Sequence, residues 1–271
     1  MIPSFLIEAL ELQPSLGALV IDTRKPDAYA RGHIPGALNL STYDIFVKST
    51  RPADLAEFRR QIADLYGAIG VSRERPVVVY EDDTGMRAAR ELWILEYLGH
   101  RNACMLHGGL KAWLAAGGEV TAAVPAPAQR ARLEVAANDG VVIAADDLLA
   151  RMLDGSIAVL DVRDANEFAG KDNTVCCTRR GHIPNAVWLE WTELLDRSTG
   201  RFRPAAQILE LLQDRGVDPL ATLVPYCHRG ARSANTYYAL RYAGLASVRN
   251  YIGSFHEWSA RQELPIRIPG G

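Results

Sequence analysis

Two α/β domains, each a mainly parallel sheet flanked by helices on both faces, are what this sequence predicts. Three observations predict them. A motif-bearing segment occurs twice, short apolar runs alternate with helical stretches in each copy, and the 271 residues, 48% hydrophobic and 23% charged, suffice for two cores. No apolar run approaches the roughly 20 residues of a membrane span. The opening MIPSFLIEALELQPS lacks a basic region and carries acids early, unlike a secretory signal. A formal net charge of −2 supplies no field for nucleic acid or an anionic membrane. The four cysteines, Cys104, Cys176, Cys177 and Cys227, are too few for a disulfide framework and lack zinc-type spacing. The expectation is a cytoplasmic protein with no nucleic-acid partner, no membrane partner and no metal.

The repeat fixes the domain plan. LVIDTRKPDAYARGHIPGALNL (19–40) returns as VLDVRDANEFAG…RRGHIPNAVWL (159–189). Asp22, Arg24 and Tyr29 match Asp161, Arg163 and Phe168 at an offset of 139. Gly32-His33-Ile34-Pro35 matches Gly181-His182-Ile183-Pro184 at 149, so the second copy carries a ten-residue insertion at about 170–179. Gly85, Arg87, Gly99, Gly108 and Trp113 match Gly230, Arg232, Gly244, Gly253 and Trp258 at 145. Each copy is far longer than a solenoid unit and reads as a domain, 1–120 and 138–271, joined by a linker over 121–137 that opens with the Ala/Pro-rich TAAVPAPAQRA.

Taken in order, ALVID (18–22) and VVVY (77–80) have the length and near-continuous apolarity of buried parallel strands, as do IAVLD (157–161) and TLV (222–224). Pro225 cannot donate within a central ladder and is placed at the last turn of its strand. DLAEFRRQIADLYGAIG, MRAARELWILEYLG, AAQILELLQDRG and ARSANTYYALRYAG read as helices, each closed by a glycine suited to a left-handed cap. Strands alternating with helices imply right-handed βαβ units. Cys104 reads as strand core, and Trp113 and Trp258 as packing the last helix of each copy onto its sheet. Asp22–Arg24 and Asp161–Arg163 recur in both copies and read as structural ion pairs, and His33 and His182 as hydrogen-bonded turn histidines.

The chemistry concentrates in TLVPYC-HRGARS-ANTYYALRYAG, a strand, a short loop and a helix. Ligands collect at the carboxyl ends of strands in open α/β sheets. Cys227 leads the loop. Gly230 permits a tight turn, and the N–H groups of residues 228–232 with the helix N-terminus form an anion cradle. His228, Arg229 and Arg232 are read as adding positive charge, which favours thiolate over thiol. Such a cysteine attacks an anionic electrophile or holds a negatively charged sulfur adduct. The plain alternative is a buried apolar thiol.

The two copies, with DxR…(Y/F)…RGHIPxA, Cys-x-x-Gly-x-Arg and a closing G-x-x-x-x-W, resemble tandem rhodanese-domain sulfurtransferases over nearly the whole chain. The resemblance implies two rhodanese-like domains, a catalytic second and an inactive first. Aligning on glycines puts Asp82 of VVVYEDDTGMR where Cys227 stands, and a carboxylate carries no persulfide. The implied activity is ping-pong transfer of sulfane sulfur from a small-molecule donor to cyanide or a thiol through a Cys227 persulfide. His228, Arg229, Gly230, Ala231 and Arg232 bind substrate in this reading, without metal or organic cofactor, in a monomer. Relatives preferring 3-mercaptopyruvate typically have a Cys-Gly-(Ser/Thr)-Gly loop. The basic His228-Arg229 loop here favours thiosulfate, whose sulfite leaves without a proton, and Arg229 and Arg232 have the fork for an oxyanion. Animal thiosulfate enzymes carry a substrate-binding arginine where this chain has Glu167, so the anion falls to the loop or to Arg180.

Two other chemistries fit less well. A phosphatase cradle is Cys-x5-Arg, whereas Arg232 follows Cys227 after four residues. A binding module would grip an anion without moving sulfur. Cys176 and Cys177, in the insertion, read as surface-loop thiols or, more sharply, as an overhang from which one thiol accepts sulfur from Cys227 or forms a disulfide with it under oxidation.

Overall fold

The computed structural model describes residues 4–13, 16–126, 129–171 and 177–268. The chain divides into two compact units that are discontinuous in sequence. The first comprises Met1–Ile45, Ala56–Asn138 and Leu195–Phe202, and the second Phe46–Leu55, Asp139–Leu194 and Arg203–Gly271. Thus a short stretch that runs into the first turn of the helix Pro52–Ala68 belongs to the second unit.

The first unit is built on strands β1 (Leu6–Ile7), β2 (Leu19–Asp22), β3 (Leu38–Asn39), β4 (Val77–Tyr80) and β5 (Ala103–Leu106), in the order β1-β5-β4-β2-β3. Every pairing is parallel, with Ile21 opposite Val79 and Leu38, and Val78 opposite Cys104. Its helices are α1 (Pro26–Arg31), α2 (Pro52–Ala68), α3 (Met86–Tyr97) and α4 (Gly109–Ala115). Val77 to Tyr80 are wholly buried, which is why this strand reads as a continuous apolar run rather than an alternation. Cys104 is in the core, as expected, and Trp113 packs against it.

The second unit holds α5 (Ala145–Leu153), β6 (Ile157–Asp161), α6 (Ala165–Phe168) and β7 (Val187–Trp188). A hairpin of β8 (Leu195–Asp196) and β9 (Arg201–Phe202) belongs to the first unit, and the second continues with α7 (Ala205–Asp214), β10 (Thr222–Tyr226), α8 (Ala231–Tyr242) and α9 (Ser254–Ala260). The order β10-β6-β7 is again parallel. Parallel bridges Leu223–Val248 and Val142–Asn250 extend it, so the second sheet repeats the first in thinner form. Trp258 is wholly buried against Tyr251, Ile143 and Leu148.

Strand β10 runs two residues beyond the expected TLV, through Pro225 to Tyr226. The proline is tolerated because Leu223 and Pro225 address the ragged outer side. Leu223 donates to Ser247 O and accepts from Arg249, and Pro225 O accepts from the Tyr251 N–H. The missing N–H therefore falls where regular pairing has already given way. The expected helix-closing glycines, Gly70, Gly99, Gly216 and Gly244, all take left-handed φ of 67° to 90°.

Candidate active site

The loop after β10 turns within four residues into α8. Gly230 adopts φ +89°, and a Cβ there would lie 2.4 Å from Ile252 Cδ1 and 2.9 Å from its carbonyl oxygen. Only glycine fits on both counts. Cys227 is 1% exposed, and its sulfur accepts from the Gly230 N–H at 3.1 Å. Burial by itself would raise the thiol pKa. Arg232, the N–H and hydroxyl of Ser233 and the N–H of Arg229 oppose it, and the net shift is downward from 9.0. A thiol this buried whose pKa nonetheless falls is set up to carry charge rather than to pack.

Ser254, not singled out in the sequence, also meets Cys227. Its hydroxyl accepts from the Cys227 N–H at 3.1 Å, donates to Tyr251 O at 2.9 Å and lies 3.9 Å from the sulfur. It holds φ +52°, where its counterpart in the first copy is Gly109 at φ +55°. A serine kept in a glycine conformation is strained, and the hydroxyl is what the strain retains. The signal was legible as Gly108-Gly109 against Gly253-Ser254.

Two expectations about charge are corrected. His228 does not add positive charge at neutral pH. Burial, then Arg229, Arg232, His256 and Arg163, push its pKa down to about 4. Nor is the Arg232 fork open to an oxyanion. It is closed on Glu167, Nη1–Oε2 2.5 Å and Nη2–Oε1 2.9 Å, the side chains 19% and 9% exposed. Glu167 is the third residue of α6, where Asp164 caps the helix and donates its N–H to the same carboxylate. Arg229 differs. Its guanidinium stacks 4.1 Å from the Phe46 ring, and among the described residues it has no ion-pair partner. Ala231 is buried as the first residue of α8.

Arg180 shares a small cavity with Glu167, the partner of Arg232. It is exposed, and the cavity, of about 20 Å³, is also lined by Arg163, Cys177, Arg179 and Phe255. That is room for about one water. Cys177 packs half-buried against the second core. The adjoining Arg179 donates to the carbonyls of Trp258, Ser259, Arg261 and Leu264, closing the C-terminal end of α9. Cys176 lies outside the described residues.

The repeated Asp-x-Arg motifs are structural in both units. Arg24 grips Asp22 at 2.6 Å and Gly32 O at 2.7 Å; Arg163 grips Asp161 at 2.5 Å and Gly181 O at 2.8 Å. Tyr80 and Tyr226 donate to these aspartates and accept from the N–H of Ile34 and Ile183. His33 and His182 bond the carbonyls of Tyr29 and Phe168 and stack on those rings at 3.8 and 3.9 Å. They are turn histidines, as read from the sequence.

This equivalence of Tyr80 and Tyr226, each opposite its aspartate in strand register, corrects the position aligned with Cys227. It is Glu81, not Asp82, because the first loop is one residue longer. Oε1 of Glu81 accepts from Arg87 N at 2.6 Å and Ala88 N at 3.0 Å, so a carboxyl group fills the first cradle. Burial pushes its pKa up to about 7. Asp82 has a 74% exposed side chain and pairs with Arg24 at 3.2 Å.

The rhodanese-like domain family matches residues 6–116 and 144–261, both copies. The chain belongs to that family. The thiosulfate sulfurtransferase of Pseudomonas aeruginosa is 32% identical over 97% of this chain and 96% of its own length. A sulfur carrier protein of Thermus thermophilus is 30% identical over 88% and 86%. Among solved structures, the anaerobic ergothioneine biosynthesis enzyme of Chlorobium limicola shares the rhodanese fold with a TM-score of 0.83 at 20% identity, over 97% of this chain and 70% of that one. No described helix is long and apolar enough to cross a membrane, and the described residues hold no cluster of three metal-ligating side chains.

Proposed function

We propose that this rhodanese-family chain is a thiosulfate sulfurtransferase, working by double displacement on Cys227. The observation that carries the reading is the buried sulfur, held by the Gly230 N–H at 3.1 Å with its pKa lowered. The Cys227 thiolate attacks the outer sulfur of thiosulfate. The thiosulfate S–S bond breaks, and its electron pair departs with sulfite, leaving a Cys227 persulfide. Cyanide carbon, or an acceptor thiolate, then attacks the terminal sulfur; that S–S bond breaks in turn and the thiolate is restored. The Gly230, Arg229 and Ser233 N–H groups stabilise the anion at each stage, as an oxyanion hole does for oxygen.

The donor preference follows from His228. With its pKa pushed down to about 4 it is a neutral imidazole at pH 7 and offers no acidic imidazolium proton. Thiosulfate needs none, since sulfite is a stable anion, whereas 3-mercaptopyruvate leaves an enolate-like fragment that proton donation assists. In this reading the second copy is catalytic. Glu81 keeps the first silent: its carboxyl group occupies the cradle and cannot form a persulfide. A cytoplasmic monomer served by a small-molecule donor and a thiol or cyanide acceptor completes the proposal.

The test is thiocyanate formation from cyanide, comparing thiosulfate with 3-mercaptopyruvate and using Cys227→Ala as control. Faster turnover with thiosulfate that vanishes in the variant supports the proposal. Faster turnover with 3-mercaptopyruvate would retain the persulfide and overturn the donor. Turnover surviving in Cys227→Ala would overturn the mechanism.

A further inference from the structure

The catalytic loop carries two arginines, and their surroundings divide their labour. Arg232 has its fork occupied by the paired contact with Glu167. Arg229 meets no carboxylate among the described residues; its Nε is buried without a hydrogen-bond partner, and its guanidinium lies on the face of Phe46 at 4.1 Å. An aromatic face attracts a cation through its quadrupole and fixes the guanidinium plane while leaving its charge unspent. A carboxylate in the same place would fix it too, but would cancel the charge a donor anion needs.

Phe46 is itself held. Its ring meets His256 edge-on with centroids 5.0 Å apart, and His256 donates its backbone N–H to His228 O at 3.0 Å. Four residues on, Thr50 is pinned by Glu257 of α9, which accepts the Thr50 N–H at 2.7 Å and its hydroxyl at 2.9 Å. Val47, between them, is buried. A stretch numbered with the first copy but folded into the second unit thus supplies a wall of the loop.

We infer that Phe46 is a positioning residue for sulfur-donor recognition: it orients Arg229, the loop guanidinium with no ion-pair partner among the described residues, toward the anionic end of the donor. The inference rests on the proposed sulfurtransferase reading for its substrate, thiosulfate. Phe46 acts through Arg229 and touches no reacting atom, so its removal affects donor binding and leaves the displacement steps intact.

The experiment measures thiosulfate binding calorimetrically in a Cys227→Ala background, where no sulfur can move, and thiosulfate KM and kcat in the intact enzyme. Phe46→Ala is expected to raise Kd and KM about tenfold with kcat within about twofold, and Phe46→Tyr to restore both. Phe46→Leu serves as the second truncation should the alanine variant unfold, with native circular dichroism required of either. The deciding arm combines Phe46→Ala with Arg229→Gln. If Phe46 works only through Arg229, the double variant binds no more weakly than Arg229→Gln alone. A further tenfold loss in the double variant, or an unchanged Kd in the single, overturns the inference. Wild-type enzyme that binds thiosulfate with the expected Phe46 dependence but forms no thiocyanate would instead overturn the sulfurtransferase reading.

Discussion

Glu167→Gln separates the two charges that close the side of the catalytic loop. The wild-type pair makes two charge-assisted contacts, at 2.5 and 2.9 Å, between side chains 9% and 19% exposed. Removing one partner of a fully buried pair costs about 3–5 kcal/mol. Arg232 keeps some solvent, and glutamine retains one acceptor, so the expected loss is about 2 kcal/mol. For a unit of this size that lowers Tm by about 6 °C. The sign with pH is definite. Burial works against the charged form, but Arg232 outweighs it and holds the Glu167 pKa below 4.5. The stabilisation is therefore fully present above pH 4.5 and is lost as pH falls through the folded value, so wild type and variant converge in acid. The assay is thermal unfolding followed by circular dichroism from pH 8 down to pH 4, with Arg232→Gln and the double variant closing a cycle. Equal Tm at pH 7, within about 1 °C, or a gap that widens in acid, would refute the reasoning.

Iodoacetamide alkylation of Cys227 in wild type should follow a titration with midpoint below 9.0, moved upward in Arg232→Gln, since the arginine is the strongest influence opposing burial; mass spectrometry of the Cys227 peptide against pH reads it. Glu81→Gln should stabilise the first unit increasingly as pH rises from about 4.5 through 7. The raised pKa means the folded wild type must pay to ionise this buried acid. The gain approaches about 3 kcal/mol above pH 7 and disappears below pH 4.5, and Oε1 alone accepts both N–H groups, so glutamine retains them. A Tm difference independent of pH would contradict this. Gly230→Ala should cost more than about 2 kcal/mol and abolish thiocyanate formation, because the new methyl meets Ile252 in a backbone conformation alanine resists; a stable, active variant would overturn the account of the loop.

The alternation of apolar runs and helical stretches was enough to place β2, β4, β6 and β10 and four long helices, because those signals are local: burial on both faces of a parallel strand and a glycine at each helix end. The repeat and the Cys-x-x-Gly-x-Arg loop likewise marked Cys227 and its family from sequence alone. What the sequence left undetermined depended on atoms far apart along the chain. Charge counting assigned a cation to His228 and an open fork to Arg232. Burial among arginines neutralises the first, and Glu167, 65 residues away, occupies the second. Glycine alignment chose Asp82, while the pairing of Tyr80 with Asp22 and of Tyr226 with Asp161 assigned the cradle to Glu81. Phe46 carried no motif at all, and only folding brings its ring onto Arg229. Residue type and spacing determine backbone conformation and nucleophile, whereas the net charge that nucleophile meets is a sum over partners that tertiary packing alone selects.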